Sequence, residues 1–287
     1  MKPTIQSFYD NDSSTFSYVV SDSNKKKGAI IDPVLGYDFR SGKTNTSGAD
    51  ELIQYIQKNQ LQLDWILETH VHADHLSAAH YIKQQIGGQI AIGSQVSSVQ
   101  ETFKSIFDMD ETFIADGRQF DRLFNDNECF QIGDITVMTI NTPGHTPACV
   151  SYLMDDAVFI GDTLFMPDYG TARCDFPGGD ARLLYRSIQR ILKLPDDTKL
   201  YMCHDYDTEN SSNRFVSTVK KQKEDNIHIQ NGINEQDFIT LRHKRDHQLA
   251  MPNLIIPSVQ VNIQAGQLPE AHNNGIQYLK IPLNVFE

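Results

Sequence analysis

Apolar residues come in short runs along the first two-thirds of the chain, and the runs follow two periods. Residues 17–21 (SYVVS) and 29–34 (AIIDPV) read as strands, and the Asp22-Ser23-Asn24 turn with Lys25-Lys26-Lys27 predicts a hairpin between them. Over 47–59 the spacing of Leu52, Ile53 and Ile56 predicts a helix with one apolar face, and Ser47 with Asp50 resembles a capping pair. A strand is expected at 64–69, then a helix at 76–86 closed by Gly87-Gly88, then a strand at 89–93. Residues 130–140 read as a β segment broken at Gly133-Asp134, and 149–153 with 157–160 as a hairpin around Asp155-Asp156. Asp180 is a good N-cap for a helix running to 194, where Pro195 stops it, and 200–203 reads as a buried strand. Helices interleaved with strands and hairpins predict an α/β fold of two mixed sheets covered by helices.

The pattern changes after about residue 210. Helices are expected at 215–225 and 234–249, followed by an extended stretch carrying Pro252, Pro257, Pro269 and Pro282. Leu254, Ile255, Ile256, Val259, Val261 and Ile263 are too few to form a core of their own. The expected organisation is therefore a catalytic domain over 1–210 and an extension over 211–287 packed on it. Charge narrows the partners. With 25 Lys and Arg against 37 Asp and Glu, the net charge is −12, which repels phosphate backbones and anionic lipid. Neither nucleic acid nor a membrane surface is expected as a partner. No run approaches the roughly 18 apolar residues of a membrane span, and the start of the chain lacks a secretory apolar core. The four cysteines form no C-x-x-C pair, so a reduced, cytoplasmic protein is expected.

The densest chemistry is His70-Val71-His72-Ala73-Asp74-His75, which packs four metal-competent side chains into six residues. On extended chain His70 and His72 point the same way, and Asp74 and His75 fall on the turn beyond. Three further segments each place a candidate ligand just after a strand-like run: Pro143-Gly144-His145, Gly161-Asp162-Thr163 and Cys203-His204-Asp205. Imidazole and carboxylate together suit Zn, Fe and Mn.

This order of seven positions, H-x-H-x-D-H then H, D and H, resembles the metallo-β-lactamase superfamily over about residues 15–210. The resemblance implies an αββα sandwich with metal at one edge of the two sheets. It matches His70, His72 and His145 to a first metal site, Asp74, His75 and His204 to a second, and Asp162 to the bridge between them. The run Gly170-Thr171-Ala172-Arg173-Cys174-Asp175-Phe176 resembles the G-x-x-R-x-D-F motif of persulfide dioxygenases, and His204-Asp205-Tyr206 resembles their H-D-Y. In the tail, Arg242-x-x-Arg245-Asp246, residues 257–262 and residues 281–284 resemble a bacterial subgroup of that family.

By this resemblance one Fe(II) per chain is held by His70, His145 and Asp162, with Zn an alternative occupant of the protein as purified. His72, Asp74, His75 and His204 would then surround the iron or line a vacant second site. The implied reaction oxidises glutathione persulfide with O2 and water to sulfite and glutathione. Arg173 and Tyr206 are the expected catalytic and substrate-contacting residues, although an Arg173–Asp175 pair of purely structural role fits the same spacing. Glutathione is anionic, so a basic patch is needed, and Arg242, Arg245, His243, Lys244 and Arg214 are candidates. The other enzyme compatible with all seven ligands is a two-metal glyoxalase II-type hydrolase of acyl-glutathione. A metal-binding sensor subunit without turnover is the alternative from another class. The tail could also form a homodimer interface.

Overall fold

The computed structural model describes residues 2–206, 214–230 and 232–285. The boundary expected at 210/211 lies outside the described residues. In chain order the elements are β1 (Thr4–Asp10), β2 (Thr15–Asp22), β3 (Lys27–Ile31), β4 (Val34–Asp38), β5 (Lys43–Asn45), α1 (Ser47–Lys58), β6 (Gln62–Leu67), β7 (Leu76–Ser77), α2 (Ala79–Ile86), β8 (Gln89–Gly93), α3 (Val96–Ile106), β9 (Arg122–Phe124), β10 (Cys129–Ile132), β11 (Ile135–Asn141), β12 (Val150–Met154), β13 (Ala157–Phe159), α4 (Ala181–Ile191), β14 (Lys199–Tyr201), β15 (Val216–Thr218), α5 (Val219–Asp225), α6 (Glu235–Asp246) and α7 (Ile255–Asn262).

Two six-stranded sheets form the centre, ordered β1-β2-β3-β6-β8-β9 and β10-β11-β12-β13-β14-β15. Each mixes the two pairing modes. β2–β3 and β11–β12 are antiparallel, whereas β3–β6, β6–β8 and β13–β14 are parallel. The sheets face each other across an aromatic layer that includes Phe16, Tyr18, Phe124, Phe130, Tyr152 and Phe159. The helices α1, α2, α3 and α7 cover the outer face of the first sheet through Leu52, Ile82, Val99 and Val259. On the second sheet α4 inserts Leu184, Ile188 and Ile191, joined by Phe238 of α6. Each such buried side chain contributes roughly 1.5–3 kcal/mol of transfer free energy. Both faces of both sheets are therefore covered, and β2 is buried along its whole length rather than alternating. This is the αββα sandwich that the sequence implied.

Several local expectations are corrected. Residues 76–77 pair with β4 as a short strand, so the helix expected at 76–86 starts at Ala79. The residue preceding α1 is Thr46, whose hydroxyl donates to Asp50, so Ser47 is not the capping partner. Residues 216–218 pair with β14 before α5 begins. The stretch expected to be extended around Pro257 contains α7. Pro257 falls in its first turn, where a backbone N–H has no helical acceptor and a proline removes nothing. No helix among the described residues is long and apolar enough to cross a membrane.

Candidate metal centre

The strand directions bring the candidate ligands together. β3, β6 and β8 run parallel in one sheet, and β11, β13 and β14 run the same way in the other. The His70–His75 segment leaves the end of β6, His145 follows β11, Asp162 follows β13 and His204 follows β14. All seven therefore meet at one edge of the sandwich. Asp162 sits in a 3-10 turn, Gly161–Thr163. Gly161 has a φ of +50°, and a Cβ there would lie 2.6 Å from the Thr69 hydroxyl, so the turn requires glycine.

His145 is presented in a similar way. Gly144 has a φ of +142°, and a Cβ on it would lie 2.3 Å from the Leu184 backbone of α4. The Asp180 N–H donates to the Gly144 carbonyl at 2.8 Å, while the Asp180 side chain caps α4 by accepting from the Leu183 N–H. The helix and the ligand turn are thus one packed unit.

Each imidazole has one nitrogen committed. His145 Nδ1 donates to the Arg173 carbonyl at 2.8 Å, His75 Nδ1 to the Leu76 carbonyl at 3.0 Å and His204 Nδ1 to the Ser14 carbonyl at 3.2 Å. His72 Nε2 donates to Asp32 at 3.1 Å, with Glu68 3.4 Å away. His70 Nδ1 meets the Thr69 hydroxyl at 3.0 Å, and that hydroxyl donates onward to Asp32, so it must accept from the ring. Fixing one N–H leaves a lone pair on the other nitrogen. His70 Nε2, His72 Nδ1 and His75 Nε2 are all buried with no hydrogen-bond partner, whereas His204 Nε2 and Asp162 Oδ1, equally buried, face each other at 3.3 Å. Orphaned acceptors of this kind cost free energy unless something fills the space, and oriented imidazoles are what a metal requires. The residues fit a metal.

Asp162 faces both ways. Its Oδ2 lies 4.0 Å from His70 Nε2 and 3.7 Å from His145 Nε2, and its Oδ1 lies 3.3 Å from His204 Nε2. His70, His145 and Asp162 each offer a ligand atom within 4.8 Å of the others. His72 groups instead with Asp74 and His75, and on its far side with Asp32 and Glu68. Burial pushes His70 well below the usual imidazole range. His204 is driven the other way, to about 9, because Asp162 and Asp74 outweigh its burial.

A cavity of about 630 Å3 opens beside these groups, lined by His145, Asp162, Asp74, His75, Arg173, Tyr206, Arg242 and Arg245 among others. His70, His72 and His204 lie behind it, fully buried. The cavity lining also includes apolar rings from Phe165, Tyr169 and Phe176 and carboxylates at Asp10 and Asp12. Arg173 pairs bidentately with Asp175 at 2.6 and 2.7 Å and donates a third bond to the Ala250 carbonyl. Phe176 packs 5.1 Å from the His145 ring, and the Arg173 guanidinium stands 5.2 Å from Phe176. The Tyr206 ring stacks on His204 at 5.0 Å. Burial, with Asp162 and Asp74 nearby, holds the Tyr206 phenol well above its ordinary pKa, so it remains an O–H donor. Arg242 is buried and bonds Thr171 and Asp246, whereas Arg214 pairs with Asp168 and Asp205. Arg245 lines the cavity, and its side chain makes no hydrogen bond or ion pair among the described residues.

Residues 10–204 match the metallo-β-lactamase superfamily model. The chain belongs to the metallo-β-lactamase superfamily. Within it, this chain is 50% identical to a probable metallo-hydrolase of Burkholderia pseudomallei, covering 98% of this chain and 99% of that protein. It is also 50% identical to glyoxylase B2 of Dictyostelium discoideum, over 99% and 98%. It is 28% identical to the persulfide dioxygenase ETHE1 of Homo sapiens, over 93% and 91%. Among solved metallo-β-lactamase folds, ETHE1 from Myxococcus xanthus superposes with a TM-score of 0.75 at 27% identity, covering 92% of this chain and all of that one.

Two positioning residues, Asp32 and Glu68, have no motif of their own in the sequence, and a third, Asn262, ends the 257–262 stretch without any sign there of a role at the metal loop. Asp32 follows β3 with a φ of +49° and bonds the Thr69 N–H, the Thr69 hydroxyl and His72. The one available signal is that an Asp-Pro closing a strand-like run marks a turn, which says nothing of its partner across the sheet.

Proposed function

We propose that the chain oxidises a thiol-borne persulfide, glutathione persulfide by preference, with O2 and water to sulfite and the free thiol. The carrying observation is the two-histidine, one-carboxylate group of His70, His145 and Asp162, whose ligand atoms all lie within 4.8 Å of one another. Such a triad suits non-haem Fe(II) and leaves coordination positions open. The likeness to the ETHE1 proteins over almost the whole chain supports the same reaction. In it the outer sulfur loses four electrons to O2, the S–S bond breaks, and two protons leave with sulfite.

Fe(II) held by the triad would supply the redox chemistry and open positions that no side chain offers. The protein's own groups do the rest. The Arg173 carbonyl fixes the His145 tautomer, and the Phe176 ring holds that imidazole from the side. The Tyr206 O–H is available to donate to a substrate sulfur or oxygen. Arg245 offers its guanidinium to a carboxylate of the thiol carrier, and Asp12 on the cavity wall suits the carrier's ammonium group. Apolar rings keep bulk water off the reacting sulfur.

A second reading is favoured by a specific observation. The other half-site is equally complete, with His75 Nε2 buried and unpartnered and Asp162 reaching both halves, its Oδ1 3.3 Å from His204 Nε2. A two-metal hydrolase of acyl-glutathione would use them all. The names of the relatives at 50% identity agree with that hydrolase.

Variants separate the two. The triad account predicts that Asp162→Asn and His145→Ala abolish persulfide-dependent O2 uptake, while Asp74→Asn and His75→Ala keep most of it. Acyl-glutathione hydrolysis by the wild type, lost in all four variants and without O2 uptake, would establish the hydrolase instead.

A further inference from the structure

We propose that Asn262, on the C-terminal helix α7, is a positioning residue for the metal-ligand loop, so that a segment beyond the matched superfamily region helps set metal affinity. The Asn262 side chain is buried and commits all its polar groups to the loop. Its Nδ2 donates to the His72 carbonyl at 2.9 Å and to the His75 carbonyl at 2.8 Å. Its Oδ1 accepts from the Ser77 N–H at 2.7 Å. These three bonds clamp both ends of the turn that carries His72, Asp74 and His75.

That turn has no regular secondary structure, so no strand or helix satisfies its backbone. Asn262 supplies what a sheet neighbour would otherwise supply. The clamp continues inward, because the Ser77 hydroxyl donates to Glu68, and the other Glu68 oxygen lies 3.4 Å from His72 Nε2. The helix is itself anchored, with Ile255, Val259 and Val261 in the hydrophobic core. The chain just beyond it presses on the same loop, since a Cβ at Gly266 would lie 2.7 Å from the Ser77 carbonyl. An apolar side chain at 262 would strand two buried carbonyls and one N–H beside the ligands.

The test compares Asn262→Leu and the near-isosteric Asn262→Asp with Gln260→Ala. Gln260 is on the same helix, but it holds the Lys280 backbone and touches no ligand. The readouts are the dissociation constant for Zn(II) alone, by chelator competition, and the thermal midpoint. The Asn262 variants are expected to bind Zn(II) about tenfold or more weakly. Gln260→Ala is expected to lower the midpoint with metal affinity unchanged. Wild-type affinity in the Asn262 variants, or an equal loss in Gln260→Ala, overturns the proposal. If neither Asn262 variant folds, amide exchange of the wild type decides. Zn(II) should slow exchange over 255–263 as well as over 70–77, and an unchanged helix overturns the proposal. Only metal binding at the loop is assumed, so the reaction that the metal serves does not enter the outcome.

Discussion

His228 carries no motif, yet its ring is fixed from two sides. Its Nδ1 accepts from the Thr171 N–H at 2.9 Å, and Gly170 packs so closely that a Cβ there would lie 2.2 Å from the ring. Burial, then the Arg242 and Arg245 charges, lowers its pKa from 6.5 to about 4. Protonation would also set a donor against the Thr171 N–H. The unfolded chain therefore binds a proton between those two values that the folded state refuses, and stability is full above about 6.5 and lost as pH falls towards 4. Urea unfolding should show that loss, and His228→Asn, which keeps an acceptor, should show a shallower one over the same window. The thiols make a second expectation at this scale. Cys149 is pushed up to about 12 by burial, and Cys174 and Cys203 are buried and raised as well. Cys129 is exposed. An electrophilic thiol reagent should therefore modify one cysteine rapidly in the native protein and all four after denaturation.

Among the elements, α4 and the Gly144 turn packed against it are sensitive to substitution. Asp180→Ala should lower stability by about 1 kcal/mol through loss of the cap, read from urea midpoints. Gly144→Ala should do more, because the new Cβ meets the α4 backbone and the turn must carry His145 away, so metal binding should fall with stability. The two elements also show what was legible in the sequence. Asp180 could be read as a cap because capping is local, and β2, β3, β10 to β13 were readable from short apolar runs and the turn residues between them. The start of α5 and the helix α7 were not. A three-residue strand that pairs with β14 and a helix that accepts Pro257 in its first turn are decided by tertiary partners and by position within the turn.

For the molecule as a whole, the site exists only because two sheets end at one edge. The seven candidate positions that meet there were readable, since their spacing after strand-like runs survives in the sequence. The roles of Asp32 and Asn262 were not, although Asn262 lies in the 257–262 stretch, because their partners lie 40 and 190 residues away across the fold. The orphaned nitrogens imply that an ion binds the folded state and not the unfolded one. Removing metal should therefore lower the thermal midpoint, with restoration on reloading. At a free metal concentration a hundred times the dissociation constant the difference is about 2.7 kcal/mol. The most direct measurement is O2 uptake by protein loaded anaerobically with one Fe(II) per chain and given glutathione persulfide, with sulfite assayed in the same vessel. The triad account predicts uptake with one sulfite formed per O2 consumed. Verified iron loading with no uptake, alongside hydrolysis of acyl-glutathione, would contradict it.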